Sequence, residues 1–167
     1  KKINIGLVFG GKSSEHEVSI KSAKTIYNAL LHSDNYEYFI VHPIYIDKNG
    51  FWSDHEYSNA ILSEDKRPDS NTKINKNLIN NLINLPKESK KIDVWFPSLH
   101  GPNGEDGVIQ GLFKLTGKPF VGSGILGSSL GMDKIAMKSI FESFNLPQAP
   151  YISLEKKNIK NTKYIQY

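Results

Sequence analysis

KKINIGLVFGGKSSEHEVSI, Lys1 to Ile20, runs an apolar stretch into a glycine turn and then into a helix start headed by glutamates. Ile3 to Phe9 shows no strict polar alternation, as expected of a strand covered on both faces of a sheet. A strand that turns through Gly10 and Gly11 into a helix is the opening unit of an open α/β sheet. In such sheets ligands bind off the carboxyl ends of the strands, where backbone N–H groups and helix N-termini share a crevice. Here that crevice carries an anion, Glu15.

The same stretch matches the phosphate-loop pattern GxxxxGK[ST] from Gly6 to Ser13. A phosphate loop needs its variable residues to curl so that their N–H groups converge, whereas Leu7, Val8 and Phe9 continue the strand. Glu15 and Glu17 would also repel a phosphate at that helix terminus. Ser14 and Glu17 have the S-x-x-E spacing of a capping box, which gives Glu17 a structural role. Glu15, at the first helical position, fits equally a complement to the helix dipole or a ligand-binding carboxylate.

A chain of 167 residues can bury one good core and the start of a second domain. With no cysteine it has neither a disulfide scaffold nor a thiolate metal site. No stretch is long and apolar enough to span a membrane, and no signal-peptide core is seen, so a soluble cytoplasmic protein is the expectation. The net charge of +4 invites a nucleic-acid partner, but Arg67 is the single arginine and the lysines are scattered, so no nucleic-acid partner is expected.

Farther along, helical periodicity from about Glu15 to Leu31 places Val18, Ala23, Ile26, Tyr27 and Leu30 on one stripe. Tyr36 to Ile46 reads as a second strand, turned by Asp47 to Gly50 into a short segment around Phe51 and Trp52. Ser63 to Lys91 is polar and broken by Pro68 and Pro86, and reads as surface decoration with a short helix over Ile74 to Ile83. Ile92 to Leu99 restores an apolar strand ending at His100 and the loop GPNGEDG. Glu105 and Asp106 then open a helix with Val108, Ile109, Leu112, Phe113 and Leu115 as apolar positions. A carboxylate such as Glu105 can orient His100 and fix its proton, as a support for a ligand-contacting histidine. After a short strand, Pro119 to Val121, comes GSGILG, a formal GxGxxG. Glu142, at the distance where dinucleotide binding needs its acid, falls inside a helix read from Asp133 to Phe144.

Three stretches in this order, VFGGKSSEHEVSIKSA, LHGPNGEDGVIQGLFKLTGKPFVGSG and GMDKIAMKSIF, resemble the amino-terminal portion of the D-alanine:D-alanine ligases, ATP-grasp enzymes, from Ile3 to about Tyr151. The resemblance implies an α/β fold: an open, mostly parallel sheet flanked by helices, a Rossmann-like pre-ATP-grasp domain over residues 1–131, then the start of the ATP-grasp central domain over 132–167. It implies ATP-dependent joining of two D-alanines through an acyl phosphate, in the cytoplasm of a bacterial-type cell making peptidoglycan precursor. It gives Glu15 the ammonium of the first D-alanine and makes Val18 a lining residue. His100 becomes a substrate contact with Glu105 as its orienting partner, and Lys134 of GMDK a nucleotide-phosphate lysine. D-alanine and ATP are then the partners, and a homodimer the implied assembly.

Past Lys134 no cluster of oxygen ligands suits magnesium. The resemblance therefore implies ATP and Mg2+ as cofactors with metal ligands beyond Tyr167, and an inactive fragment of a longer chain. D-lactate or D-serine as second substrate, a non-catalytic nucleotide-binding domain, and a non-catalytic interaction domain are the alternatives.

Overall fold

The computed structural model describes residues 1–63 and 85–154. Its sheet has three parallel strands, β1 (Ile3–Gly10), β2 (Phe39–Ile46) and β3 (Val94–Pro97), in the order β2-β1-β3. The register runs from Ile3 opposite Phe39 to Gly10 opposite Ile46, and from Ile5 opposite Val94 to Val8 opposite Pro97. Helix α1 (His16–Leu31) connects β1 to its parallel neighbour β2, and α2 (His55–Ser63) follows β2. The expected open parallel sheet flanked by helices is what the chain forms.

Alternation along β1 divides the core into two layers. Leu7 and Phe9 join Ile20, Ala23, Val41, Tyr45, Ile61 and Leu62 on the side covered by α1 and α2. Val8 points the other way, into Ile44, Ile46, Ile92, Trp95, Ile109 and Phe113, the last two from α3 (Val108–Leu115). Coverage of both faces explains the unbroken apolar run in β1. Gly6 lies inside that strand, opposite His42 and Trp95, so no phosphate loop forms there. A Cβ on Gly6 would come within 2.4 Å of Ile92 Cδ1 and 2.8 Å of the Trp95 ring, which is why the strand carries glycine at this point.

A polar chain runs from Asp93, just before β3, through Asn4 near the start of β1 to His42 of β2. Asp93 Oδ2 accepts from Asn4 N–H (2.9 Å) and Asn4 Nδ2–H (2.8 Å), and Asn4 Oδ1 lies 3.0 Å from His42 Nε2. The bonds from Asn4 hold the Asp93 carboxyl below its ordinary pKa. The carboxyl ends of the strands are thereby left to the glycine turn and the 98–107 loop.

Several elements differ in extent from the expectation. β2 starts at Phe39 rather than Tyr36, because residues 34–38 turn back on α1 and Asn35 Nδ2–H caps the Ala29 carbonyl at 2.9 Å. β3 is limited to Val94–Pro97, since Ile92 N–H bonds to Ser89 O and Asp93 bonds to Asn4. Trp52 contributes a single antiparallel bridge to Ile46, and Phe120 a single parallel bridge to Trp95 in place of a strand. Two α-helices were not anticipated, α2 and α4 (Ile125–Met132), which grows out of GSGILG, nor was the 3-10 helix Lys87–Lys91. The helix expected over 74–83 lies outside the described residues.

The chain divides into two compact units, Lys1–Ser129 and Leu130–Tyr167. In the second, α5 (Lys134–Ser143) is capped by Asp133, whose carboxylate accepts from Ile135 N–H and Ala136 N–H, both at 3.0 Å. Gln148 Nε2–H bonds to Lys138 O at 2.9 Å, and the Lys138 ammonium lies 4.8 Å from the Tyr151 ring centre.

Candidate active site

Gly10 and Gly11 both have φ of +90°, and a Cβ on Gly10 would stand 2.2 Å from the Ile46 carbonyl oxygen. His16, which no motif or periodicity in the sequence marks, is buried beneath this turn. Its Nδ1 lies 2.7 Å from the Gly11 carbonyl and its Nε2 3.0 Å from the Tyr45 hydroxyl. A carbonyl only accepts, so Nδ1 carries the hydrogen and, in the neutral ring, Nε2 accepts from Tyr45 O–H. Burial pushes the Tyr45 phenol well above its ordinary pKa, which keeps it a donor.

Ser19 fixes the next turn of α1. Its hydroxyl accepts from Gly10 N–H at 2.8 Å and donates to the Ser98 carbonyl, so one side chain joins the carboxyl ends of β1 and β3 to the helix. Ser19 is fully buried. Replacing it with alanine is expected to leave the Gly10 N–H and Ser98 C=O without partners and to cost about 1–3 kcal/mol. A urea-unfolding midpoint unchanged in the Ser19→Ala protein would contradict this.

α1 begins at His16 with Glu15 at its N-cap and no side-chain cap, so the Ser14 and Glu17 capping box is not formed. The helix starts one residue later than that motif requires, and Ser13 Oγ instead accepts from Glu15 N–H at 3.1 Å. The Glu17 carboxylate meets Lys48 Nζ at 2.9 Å. Glu15 is exposed, and its Oε2 lies only 3.0 Å from where a Cβ on Gly101 would be. Val18 is also exposed. β1 thus delivers Glu15 directly over the loop that follows β3.

That loop is held by its own side chains. Glu105 Oε2 accepts from Gly101 N–H at 2.7 Å, and Asp106 accepts from Asn103 N–H (2.8 Å) and Val108 N–H (3.2 Å). Gln110, buried in α3, donates to the Gly104 carbonyl at 2.9 Å. The expected bond from Glu105 to His100 is therefore replaced. Glu105 closes the turn four residues back, and the partner of His100 is Ser22 on α1, whose Oγ lies 3.2 Å from His100 Nε2. The acids precede α3 rather than opening it, because Gly107 takes the N-cap with φ of +97°.

Beside the loop lies a cavity of about 490 Å³, lined among others by Gly10, Lys12, Trp52, Leu99, His100 and Leu112. Glu15 and Val18 are not among its lining residues. The structure thus brings Glu15, Gly101, Glu105 and His100 to the same end of the sheet. Lys134 belongs to the second unit, where its Nζ donates to the Gly131 carbonyl at 3.0 Å. Among the described residues no group of three or more histidines, aspartates or glutamates stands close enough together to hold a metal ion.

Residues 4–123 match the family model described as the D-ala D-ala ligase N-terminus. A D-alanine–D-alanine ligase of Prochlorococcus marinus (strain NATL1A) is 64% identical over 162 residues, covering 97% of this chain and 45% of that protein. A Synechococcus sp. (strain CC9605) protein of the same name is 48% identical, covering 96% of this chain and 45% of its own length. The chain therefore spans less than half the length of these curated relatives. Among solved structures, the D-alanine–D-alanine ligase of Coxiella burnetii superposes with a TM-score of 0.73 at 27% identity, covering 98% of this chain and 47% of that one. The VanG D-Ala:D-Ser ligase of Enterococcus faecalis gives 0.67 at 27% identity, over 99% of this chain and 48% of that one.

Proposed function

This chain belongs to the D-ala D-ala ligase N-terminus family, and on that premise we propose that it forms the first-substrate half of an ATP-dependent ligase. The full-length protein joins two D-alanines through an acyl phosphate, converts ATP to ADP, and supplies a cytoplasmic precursor of peptidoglycan. The observation that carries this reading is the Glu15 carboxylate, exposed at the N-terminus of α1 and lying against Gly101 of the His100 loop.

In the proposed chemistry Glu15 receives the ammonium of the first D-alanine. The positive end of α1 favours an anionic side chain at this position. Val18, one turn along and exposed, flanks that substrate from outside the cavity beside the loop, and His100 donates to the same substrate. Glu105 acts indirectly, by fixing the turn at Gly101 on which both groups depend. Closing that turn through a side chain sets the spacing of Glu15 and His100 before substrate arrives, which lowers the ordering cost of binding. Lys134 is the residue in the described chain proposed to meet a nucleotide phosphate, as a point charge at the start of α5. ATP, when bound, supplies phosphoryl transfer to the D-alanine carboxylate, and no step through magnesium is assigned to these residues.

D-alanine is the proposed second substrate, and the match to a D-Ala:D-Ser ligase keeps D-serine as the competing one. Assembly as a homodimer belongs to the same proposal, and among the described residues no helix is long and apolar enough to cross a membrane. The full-length protein is expected to release ADP only when ATP, magnesium and D-alanine are supplied together. ADP release that D-alanine does not stimulate would sink the reading. Product analysis with D-alanine and D-serine in competition identifies the second substrate.

A further inference from the structure

Glu15, Ser19 and Ser22 follow one another on α1 at spacings of four and three, which places them on one stripe of the helix. The first lies against Gly101 and the second holds the Ser98 carbonyl. The third meets the His100 imidazole at Nε2, 3.2 Å from the hydroxyl oxygen. α1 therefore grips the segment after β3 on both sides of Leu99, through the main chain at Ser98 and through the side chain at His100. Serine hydroxyls inside helices commonly turn back to a carbonyl of their own preceding turn. Among the described residues, His100 is the hydrogen-bond partner that the Ser22 hydroxyl has.

We propose that Ser22 is a positioning residue that sets the tautomer and orientation of His100 for the first substrate. Donation from Ser22 O–H to Nε2 gives the hydroxyl proton an acceptor and makes Nε2 the unprotonated nitrogen of the neutral ring. The ring hydrogen then sits on Nδ1, which has no protein partner among the described residues and is available to an acceptor on the substrate. A carboxylate oxygen of the first amino acid is such an acceptor, since its ammonium is taken by Glu15. The role parallels the buried carboxylates and carbonyls that fix ligand histidines elsewhere, with a neutral hydroxyl in their place.

This inference rests on the reading of His100 as a contact of the first D-alanine, and two measurements separate the two. In the full-length protein, Ser22→Ala is expected to raise KM for the first D-alanine about 5- to 10-fold, the worth of one neutral hydrogen bond, with kcat and the KM for ATP within about 2-fold. Ser22→Thr, which keeps the hydroxyl, should restore the wild-type KM. On a His100→Gln background, Ser22→Ala should add nothing, because its effect passes through the imidazole. Additive losses, or a Ser22→Ala protein with unchanged KM, overturn the proposal.

The second measurement does not depend on turnover. With 15N-labelled histidine, the His100 nitrogens in the wild-type protein should report Nδ1 protonated and Nε2 accepting, and Ser22→Ala should shift the population toward the other tautomer. A ring already protonated on Nε2 in the wild type overturns the proposal even if the ligase activity is present. The expected tautomer in a protein that does not ligate D-alanine would sustain the Ser22 to His100 link while removing the ligase reading.

Discussion

Glu15→Gln in the full-length protein is expected to lower kcat/KM for D-alanine by about 100- to 1,000-fold, with most of the loss in the KM of the first substrate. Glutamine keeps the shape that lies against Gly101 but removes the charge proposed to face the ammonium. Losing one partner of a charge-assisted bond costs about 2–5 kcal/mol, and each 1.4 kcal/mol is tenfold. The fold should barely register the change. An exposed acid at a helix N-terminus contributes about 0.3–1 kcal/mol through the dipole, so the unfolding midpoint moves little. Glu15→Asp keeps the charge on a shorter arm and should fall between the two. The combination of a large kinetic effect and a small stability effect separates a ligand-binding carboxylate from a dipole complement, the two roles that sequence alone left balanced. A Glu15→Gln enzyme within about 3-fold of wild type would remove Glu15 from the site.

The strand, turn and helix from Ile3 to Leu31 were legible because local rules suffice for them. β1 is apolar on both faces, Gly10 and Gly11 mark the turn, and α1 repeats its apolar stripe. The continuation of the strand through Leu7, Val8 and Phe9 is likewise a local pattern, and the clash that a Cβ at Gly6 would make with Ile92 and Trp95 gives the glycine a structural cause. The two missed α-helices fail for opposite reasons. α2, HEYSNAILS, is short and starts with polar residues, so its stripe of Ser58, Ile61 and Leu62 is visible only against β2. α4 begins inside a glycine-rich string that reads as loop until the helix is seen to start at Ile125.

Within the site, sequence distance misled where backbone was the partner. Glu105 stands near His100 in the chain, yet the closer donor in space is Gly101 N–H, because the loop folds into a turn between them. His16 and Ser22 depend on Tyr45 and His100, residues 29 and 78 positions away, and no periodicity reports such pairings. A partial signal did exist for the serines. Ser19 and Ser22 flank Ile20 and Ala23 on the inward side of α1, and a polar residue at an inward position needs a partner.

Trp95→Ala is expected to give the largest loss of stability in this chain, about 3–5 kcal/mol. The indole is fully buried in the middle of β3 and stacks on Phe113 with ring centres 4.8 Å apart and planes 13° from parallel. Its Nε1–H donates to Thr116 Oγ1 at 3.0 Å, and Thr116 in turn donates to the Phe113 carbonyl at 2.6 Å, which ties the end of α3 to the sheet. Alanine would remove the stack and the bond together and leave a hollow beside Gly6, where the absent Cβ leaves no side chain to fill it. Trp95→Phe separates the two contributions. It retains most of the stack, loses the N–H donor, and should cost less than half as much, since Thr116 Oγ1 keeps its own acceptor and loses only a donor. Three residues past Trp95 the chain reaches Ser98, whose carbonyl Ser19 holds, and then His100. Looser packing at Trp95 should therefore reach the site as weaker D-alanine binding before the protein unfolds. Chemical unfolding of the two variants, with KM for D-alanine measured well below each midpoint, tests both statements. A Trp95→Ala protein destabilised by less than about 1.5 kcal/mol would mean that α3 is held to the sheet by contacts other than this stack.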